Sequence, residues 1–185
     1  VIELQAPFLD TNLGHLVSGT PVVISGVVYT ARDAAHERFA EAIAAGEGLP
    51  VDFNGQVLYF VGPTPARPGH VIGSAGPTTA SRMDPYSPLL IERGLRGMIG
   101  KGRRSQSVKD SMRTHGCVYF GAVEGTAALL ARHIVECDVV AYHDLGTEAV
   151  HRLRLQRFPA VIVNDLHGGD LYVEGPARWR TAAIS

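Results

Sequence analysis

The sequence predicts a single mixed α/β domain. Short runs rich in β-branched and aromatic residues alternate with amphipathic helical stretches. Most junctions carry a glycine, proline or hydroxyl residue of the kind that starts or ends an element. The 185 residues, 45% apolar and 19% charged, suffice for one well-buried core without requiring a second.

Val22-Val23-Ile24 and Val27-Val28-Tyr29 read as strand, interrupted at Gly26 by a bulge or a close backbone approach. Thr30 is placed to cap the next helix, with Asp33 three residues later as in a capping box. Ala35, Phe39, Ala42 and Ile43 supply its apolar stripe and Gly46 its end. Val57 to Val61 and Val71 to Ser74 are the next strand candidates, joined by a Pro/Gly-rich loop from Gly62 to Gly69. Asp84 as N-cap and Pro85 as first residue predict a helix ending near Gly94. Gly97-Met98-Ile99 leads to a helix that begins at Ser105 or Ser107 and closes at Gly116. Val118-Tyr119-Phe120 predicts a strand and Thr126 to His133 a short helix. The closing section reads as β-rich over Val139 to Tyr142, His151 to Phe158 and Val161 to Val163. There, Leu153 and Leu155 alternate with Arg152, Arg154 and Arg157, which predicts one solvated face.

Composition narrows the function classes. A formal charge of -1 argues against a general nucleic-acid binder. No apolar run approaches the roughly 18 residues of a membrane span, and the opening residues lack a signal-peptide pattern, so a soluble cytoplasmic protein is expected. The two cysteines, Cys117 and Cys137, sit in or beside apolar stretches and predict buried, reduced thiols. Two thiols cannot supply an iron–sulfur cluster, and the eight histidines show no HExxH spacing, so no metal is expected on this chain.

The chemistry concentrates in two glycine-bounded cationic turns, Gly76-Pro77-Thr78-Thr79-Ala80-Ser81-Arg82 and Gly100-Lys101-Gly102-Arg103-Arg104-Ser105. Glycine lets backbone approach a ligand, hydroxyls give short-reach hydrogen bonds, and fixed cations complement an anion. A capped strand-to-helix turn with a solvent-facing Arg82 explains the first equally simply. Lys101 precedes a helix N-terminus that favours negative charge, but the full GxxxxGK[ST] phosphate-loop pattern is absent. Arg103 and Arg104 read as solvated or partner-facing. Arg32 sits unfavourably near a helix's positive end unless a carboxylate offsets it, whereas Asp33 there is explained by capping. His36, one turn on, could aim near the same place or simply bond to backbone. The stretch Asn164 to Asp170 lacks EF-hand spacing and reads as a surface turn.

Three ordered stretches resemble the signatures of class I fumarate hydratases: Tyr29-Thr30-Ala31-Arg32-Asp33-Ala34-Ala35-His36, Gly76 to Asp84, and Gly100-Lys101-Gly102-Arg103-Arg104-Ser105-Gln106. The likeness is to the separate β subunit of two-subunit enzymes or the C-terminal domain of single-chain ones, and L-tartrate dehydratase β subunits share much of it. The resemblance implies a swivelling β/β/α domain spanning residues 1–185 that closes one side of a hydro-lyase site. It implies Arg32, Arg82 and Lys101 as grips for substrate carboxylates and Thr78 as a residue of the proton-transfer centre. It also implies a cysteine-bearing α subunit carrying a [4Fe-4S] cluster and a catalytic Asp, within a higher-order assembly. Arg103 stands where the family usually has Asn, and the Arg82–Lys101 spacing is one residue shorter than the commoner pattern. Reversible hydration of fumarate to malate is the leading expectation. The alternatives are dehydration of L-tartrate or a related hydroxy-dicarboxylate, and a non-catalytic anion-binding module for regulation or assembly.

Overall fold

A computed structural model describes residues 1–122 and 127–182. Its strands are β1 (Ile2–Ala6), β2 (Pro21–Thr30), β3 (Val57–Tyr59), β4 (Gly97–Gly100), β5 (Val118–Gly121), β6 (Ile134–Ala141) and β7 (Val150–Asn164). Its α-helices are α1 (Asp33–Ala45), α2 (Ser87–Ile91), α3 (Gln106–His115), α4 (Ala127–Ala131) and α5 (Leu171–Ala182). The strands form one sheet in the order β1-β2-β3-β4-β5-β7-β6, so the chain is a single mixed α/β domain as the sequence predicts.

β1 to β5 run parallel, each to its neighbour, while β7 lies antiparallel to β5, β6 and β2. The pairing of β7 with both β5 and β2 closes β2, β3, β4, β5 and β7 into a circuit. α1, α2 and α3 each cross between adjacent parallel strands, and such crossovers share one hand, so all three helices cover the same face. Strand alternation then divides the core in two. Val28, Tyr59, Ile99, Phe120, Phe158 and Ile162 pack on the face inside the circuit. Leu58, Phe60, Met98, Tyr119 and Val163 meet Ala35, Phe39, Leu90, Val108 and Met112 beneath the helices.

Gly26 is a true bulge. The β2–β7 register shifts between Ile24 and Gly26, the φ is +102°, and a Cβ there would overlap the Ala6 carbonyl of β1. Gly46 and Gly116 end α1 and α3 in the left-handed conformation, and Ser105 caps α3 by accepting from the Val108 amide. The alternation in the closing section holds as well. Leu153 and Leu155 are buried, while Arg152 and Arg154 reach out to Glu136 of β6.

Several expectations need correction. Residues 1–20 and 171–182 contribute β1 and α5, for which the periodic pattern gave no signal. Val71 to Ser74 is not a strand, because Thr64 takes its backbone bonds, accepting from Gly73 and donating to Ser74. β3 stops at Tyr59 rather than running to Val61. Thr30 does not cap α1; its hydroxyl is buried between Ala149 and His151, and Arg32 occupies the N-cap position. Asp84 caps no α-helix either, since α2 starts only at Ser87 and the carboxylate is taken by Arg104. The closing strands are one continuous β7 despite Pro159 and a left-handed Arg157. Thr126 of the expected short helix lies outside the described residues. The Asn164 to Asp170 turn reaches the surface at His167 and Gly168, but Asp165 within it is buried and accepts from the amides of Ser18, His167 and Gly169. Cys117 is buried as expected, whereas Cys137 is half-buried. No helix among the described residues is long and apolar enough to cross a membrane.

Candidate functional site

In parallel α/β arrangements, whether open or closed, ligands bind beyond the carboxyl ends of the strands. Here β2, β3 and β4 end side by side, followed by Arg32, by Val61-Gly62 and by Lys101. β3 and β4 splay at this edge, and the first cationic turn fills the gap. The Thr78 amide donates to Phe60 O at 2.7 Å, the Lys101 amide donates to Thr78 O at 3.3 Å, and Ala80 donates to Lys101 O at 2.8 Å. Thr79 and Lys101 thereby form a short parallel bridge. The two turns read separately in the sequence are thus one backbone unit, with Thr78 and Lys101 hydrogen-bonded neighbours.

A short 3-10 turn over Ala80–Met83 carries Arg82 back toward the start of α1. Its Nε lies 2.9 Å from Asp33 Oδ1, and Arg32 Nη2 lies 3.7 Å from Asp33 Oδ2. Glu148, from a turn between β6 and β7, places Oε1 3.4 Å from Arg32 Nε. Gly62 leaves room for this arrangement. A Cβ there would lie 3.0 Å from Arg32 Cδ and 3.1 Å from the Thr147 carbonyl. All four sequence-selected residues, Thr78, Arg32, Arg82 and Lys101, therefore gather at one end of the sheet. Glu148 carries no signal in the sequence, and only its position in the fold reveals it. Helix capping explains Asp33 in the sequence, yet in the structure its oxygens face two guanidinium groups.

Unsatisfied buried atoms collect at the same place. Among the described residues eight buried side-chain atoms lack a hydrogen bond, and four of them are Arg32 Nε, Asp33 Oδ2, His36 Nε2 and Glu148 Oε1. Such groups are rare in folded proteins, and their concentration at one place calls for an explanation. His36 donates from Nδ1 to the Arg32 carbonyl at 2.9 Å and is ringed by Phe39, Phe60 and Tyr86. Burial pushes its pKa down to about 4, opposed by the backbone bond, so the ring is neutral near pH 7.

The second turn is anchored from below. Arg104, expected to be solvated or partner-facing, has a fully buried side chain. Its Nε donates to Asp84 Oδ1 at 2.7 Å and its Nη2 to Ser87 Oγ at 2.6 Å, with the guanidinium over Phe60 and Tyr119. Asp84 also accepts from the Ser105 amide at 2.7 Å, so an internal ion pair ties the two turns together. Tyr119 donates to Gly102 O and Gly102 N donates to Tyr172 of α5, which fixes the backbone beside Lys101. Arg103 also meets α5, donating to Tyr172 O at 3.2 Å.

These residues do not fit an iron–sulfur cluster. Cys117 lies in the helix-side core with its thiol pushed up to about 12 by burial, whereas Cys137 lies on β6 against the other core. Among the described residues no three His, Cys, Asp or Glu side chains converge as metal donors.

Comparison with known proteins gives a consistent picture. The family profile described as Fumarase C-terminus matches residues 1–175. The chain is 38% identical to the aerobic class I fumarate hydratase of Salmonella typhimurium, covering 100% of this chain and 32% of that protein. It is 40% identical to fumarate hydratase 2 of Leishmania major, covering 92% of this chain and 31% of the relative. A Methanocaldococcus jannaschii protein, provisionally named L(+)-tartrate dehydratase subunit beta, is 35% identical over 88% of this chain and 87% of its own length. The chain thus spans about a third of the fumarate hydratases it matches and most of the shorter subunit.

Proposed function

We propose, for a chain that belongs to the Fumarase C-terminus family, that it is the substrate-gripping β subunit of a hydro-lyase that interconverts fumarate and malate. The observation that carries this reading is the gathering of Arg32, Arg82, Lys101 and Thr78 at the carboxyl ends of β2 to β4. The names of its fumarate hydratase relatives, and the near-full-length match to a separate beta subunit, support it. The domain would act with a cysteine-bearing α subunit, which would hold the [4Fe-4S] cluster and the catalytic Asp.

The residues suit a C4 dicarboxylate. Guanidinium groups make paired, charge-assisted bonds to carboxylates, and Lys101 adds a compact third cation. Hydration of fumarate forms a C–O bond at one alkene carbon and delivers a proton to the other. Negative charge builds on the carboxylate next to the carbon that gains the proton. Cations already in place stabilise that charge without reorganising. Thr78 is a poor base alone, so its hydroxyl would act within a proton-transfer network completed by the partner. Its backbone rather than its hydroxyl holds the turn, which leaves the hydroxyl for that task.

The test is to co-express the chain with its α subunit, verify cluster loading, and assay fumarate, malate and L-tartrate. Reversible fumarate hydration with little tartrate turnover is expected, together with negligible activity of this chain alone. A loaded complex that turns over no dicarboxylate would overturn the reading and favour an anion-binding assembly module. Preferential use of L-tartrate would move it to the second enzymatic reading.

A further inference from the structure

The two arginines assigned to substrate are held in the same way. Each is approached along its Nε edge by an acid: Arg82 by Asp33 at 2.9 Å and Arg32 by Glu148 at 3.4 Å. A guanidinium has a second bonding edge, the parallel N–H pair of Nη1 and Nη2, which matches a carboxylate bidentately. An acid on the Nε side orients the group; on Arg82 it leaves both Nη groups for a ligand, and on Arg32 it leaves Nη1, with Nη2 lying 3.7 Å from Asp33 Oδ2. Asp33 does more, because its other oxygen lies 3.7 Å from Arg32 Nη2 and so sets the spacing between the two arginines.

The supports of these acids are themselves fixed. Asp33 is the first residue of α1, where a negative charge suits the helix dipole. Glu148 ends the segment His143–Glu148, which is tied to α1 when Arg38 Nη1 donates to Asp144 Oδ1 at 2.9 Å. Folding energetics give little reason for the arrangement. Arg32, Asp33, Glu148 and Arg82 retain 25%, 31%, 30% and 54% side-chain exposure, and pairs this exposed contribute at most about 1 kcal/mol. Their geometry is also unsatisfied, with buried Arg32 Nε, Asp33 Oδ2 and Glu148 Oε1 lacking hydrogen bonds.

We infer that Asp33 and Glu148 are positioning residues, which hold Arg82 and Arg32 from their Nε sides and turn their Nη groups toward the substrate dicarboxylate. The inference rests on the proposed function, and it assigns neither acid a proton-transfer step. It separates two tasks in the cluster: the arginines touch substrate, and the acids aim them.

The experiment is a pair of double-mutant cycles in the cluster-loaded complex, Asp33→Ala with Arg82→Ala and Glu148→Ala with Arg32→Ala. Melting curves of every variant accompany the kinetics. Each acid-to-alanine change should raise the dicarboxylate KM about tenfold with kcat much less affected, because a misaimed grip weakens binding before chemistry. Asp33→Asn and Glu148→Gln keep an acceptor oxygen and should recover most of the loss. In the Arg82→Ala or Arg32→Ala background, removing the matching acid should change KM no further. Arginine variants that raise KM, combined with acid variants that are silent or fully additive, overturn the inference and leave the proposed function standing. Arginine variants that leave KM unchanged overturn the substrate-grip reading itself, and the inference with it.

Discussion

Replacing Arg104 by alanine should be among the most damaging single changes in the molecule, although Arg104 is not among the proposed substrate grips. Its side chain has 0% exposure and its partner Asp84 only 12%. Truncation removes the bonds to Asp84 Oδ1 and Ser87 Oγ and the stacking on Phe60 and Tyr119. It leaves a largely buried carboxylate with the Ser105 amide as its remaining donor. Breaking one side of a buried ion pair typically costs about 3–5 kcal/mol, because the abandoned charge stays desolvated. For a chain of this length each kcal/mol lowers Tm by about 2–4 °C, which gives a fall of roughly 6–20 °C. Urea and thermal denaturation of Arg104→Ala measure this directly. Arg154→Ala serves as the control, since its pair with Glu136 is 46% exposed on both sides and should change stability by less than about 1 kcal/mol. Removing both Arg104 and Asp84 should cost less than the sum of the single changes, because the orphaned charge is then gone. An Arg104→Ala protein within about 1 kcal/mol of wild type would refute the structural role given to this pair.

Two further outcomes follow from the site. Thr78→Val keeps size and branching but deletes the hydroxyl, so kcat should fall at least about tenfold with binding little changed if that hydroxyl serves proton transfer. Rates in both directions, paired with direct substrate-binding measurements, check this, and near-normal kcat in an intact loaded complex would exclude an essential chemical role. For His36, the folded pKa is about 4 against 6.5 for the free side chain. Between those values the unfolded chain takes up a proton that the folded chain refuses. Its contribution is therefore fully present above pH 6.5 and is lost as pH falls toward 4, by up to about 3 kcal/mol. Urea midpoints across that range should fall steeply for wild type and less steeply for His36→Gln; equal slopes would refute the assignment.

The parts of the fold that could be read from the sequence were those set by local backbone chemistry. Gly26, Gly46 and Gly116 mark a bulge and two helix ends because only glycine adopts those conformations cheaply. Leu153 and Leu155 revealed their strand because one face is buried and the other solvated. α5 was hidden by Gly175 and Pro176, which interrupt a helical pattern that tertiary contacts through Tyr172 sustain. β7 looked like two strands because Arg157 and Pro159 break the pattern, while β2 on one side holds the ladder together. At the candidate site, Thr78, Arg82 and Lys101 stand out because their turns combine glycine, hydroxyl and cation, Arg32 because it sits near a helix's positive end, and the resemblance to a family groups all four. Glu148 does not, because its meaning depends on Arg32, to which it is joined only by the fold. Arg104 misled for a related reason: residue type suggests solvent, and only Asp84, Phe60 and Tyr119 make burial tolerable.

The closure by β7 has a consequence for how the chain comes into being. Synthesis proceeds from the N-terminus, so β1 to β5 and the three crossover helices leave the ribosome while β7 is still unmade. Until Val150–Asn164 emerges, β2 presents an unpaired edge over Pro21 to Tyr29 and β5 another over Tyr119 to Gly121. Such edges invite pairing with other chains, and contacts between residues so distant in sequence are slow to form. A nascent or truncated chain ending before β7 is therefore a sticky half-ring, and every strand that leads into the candidate site belongs to it. The last long strand acts as the clasp on which the solubility of the whole and the alignment of its rim both depend.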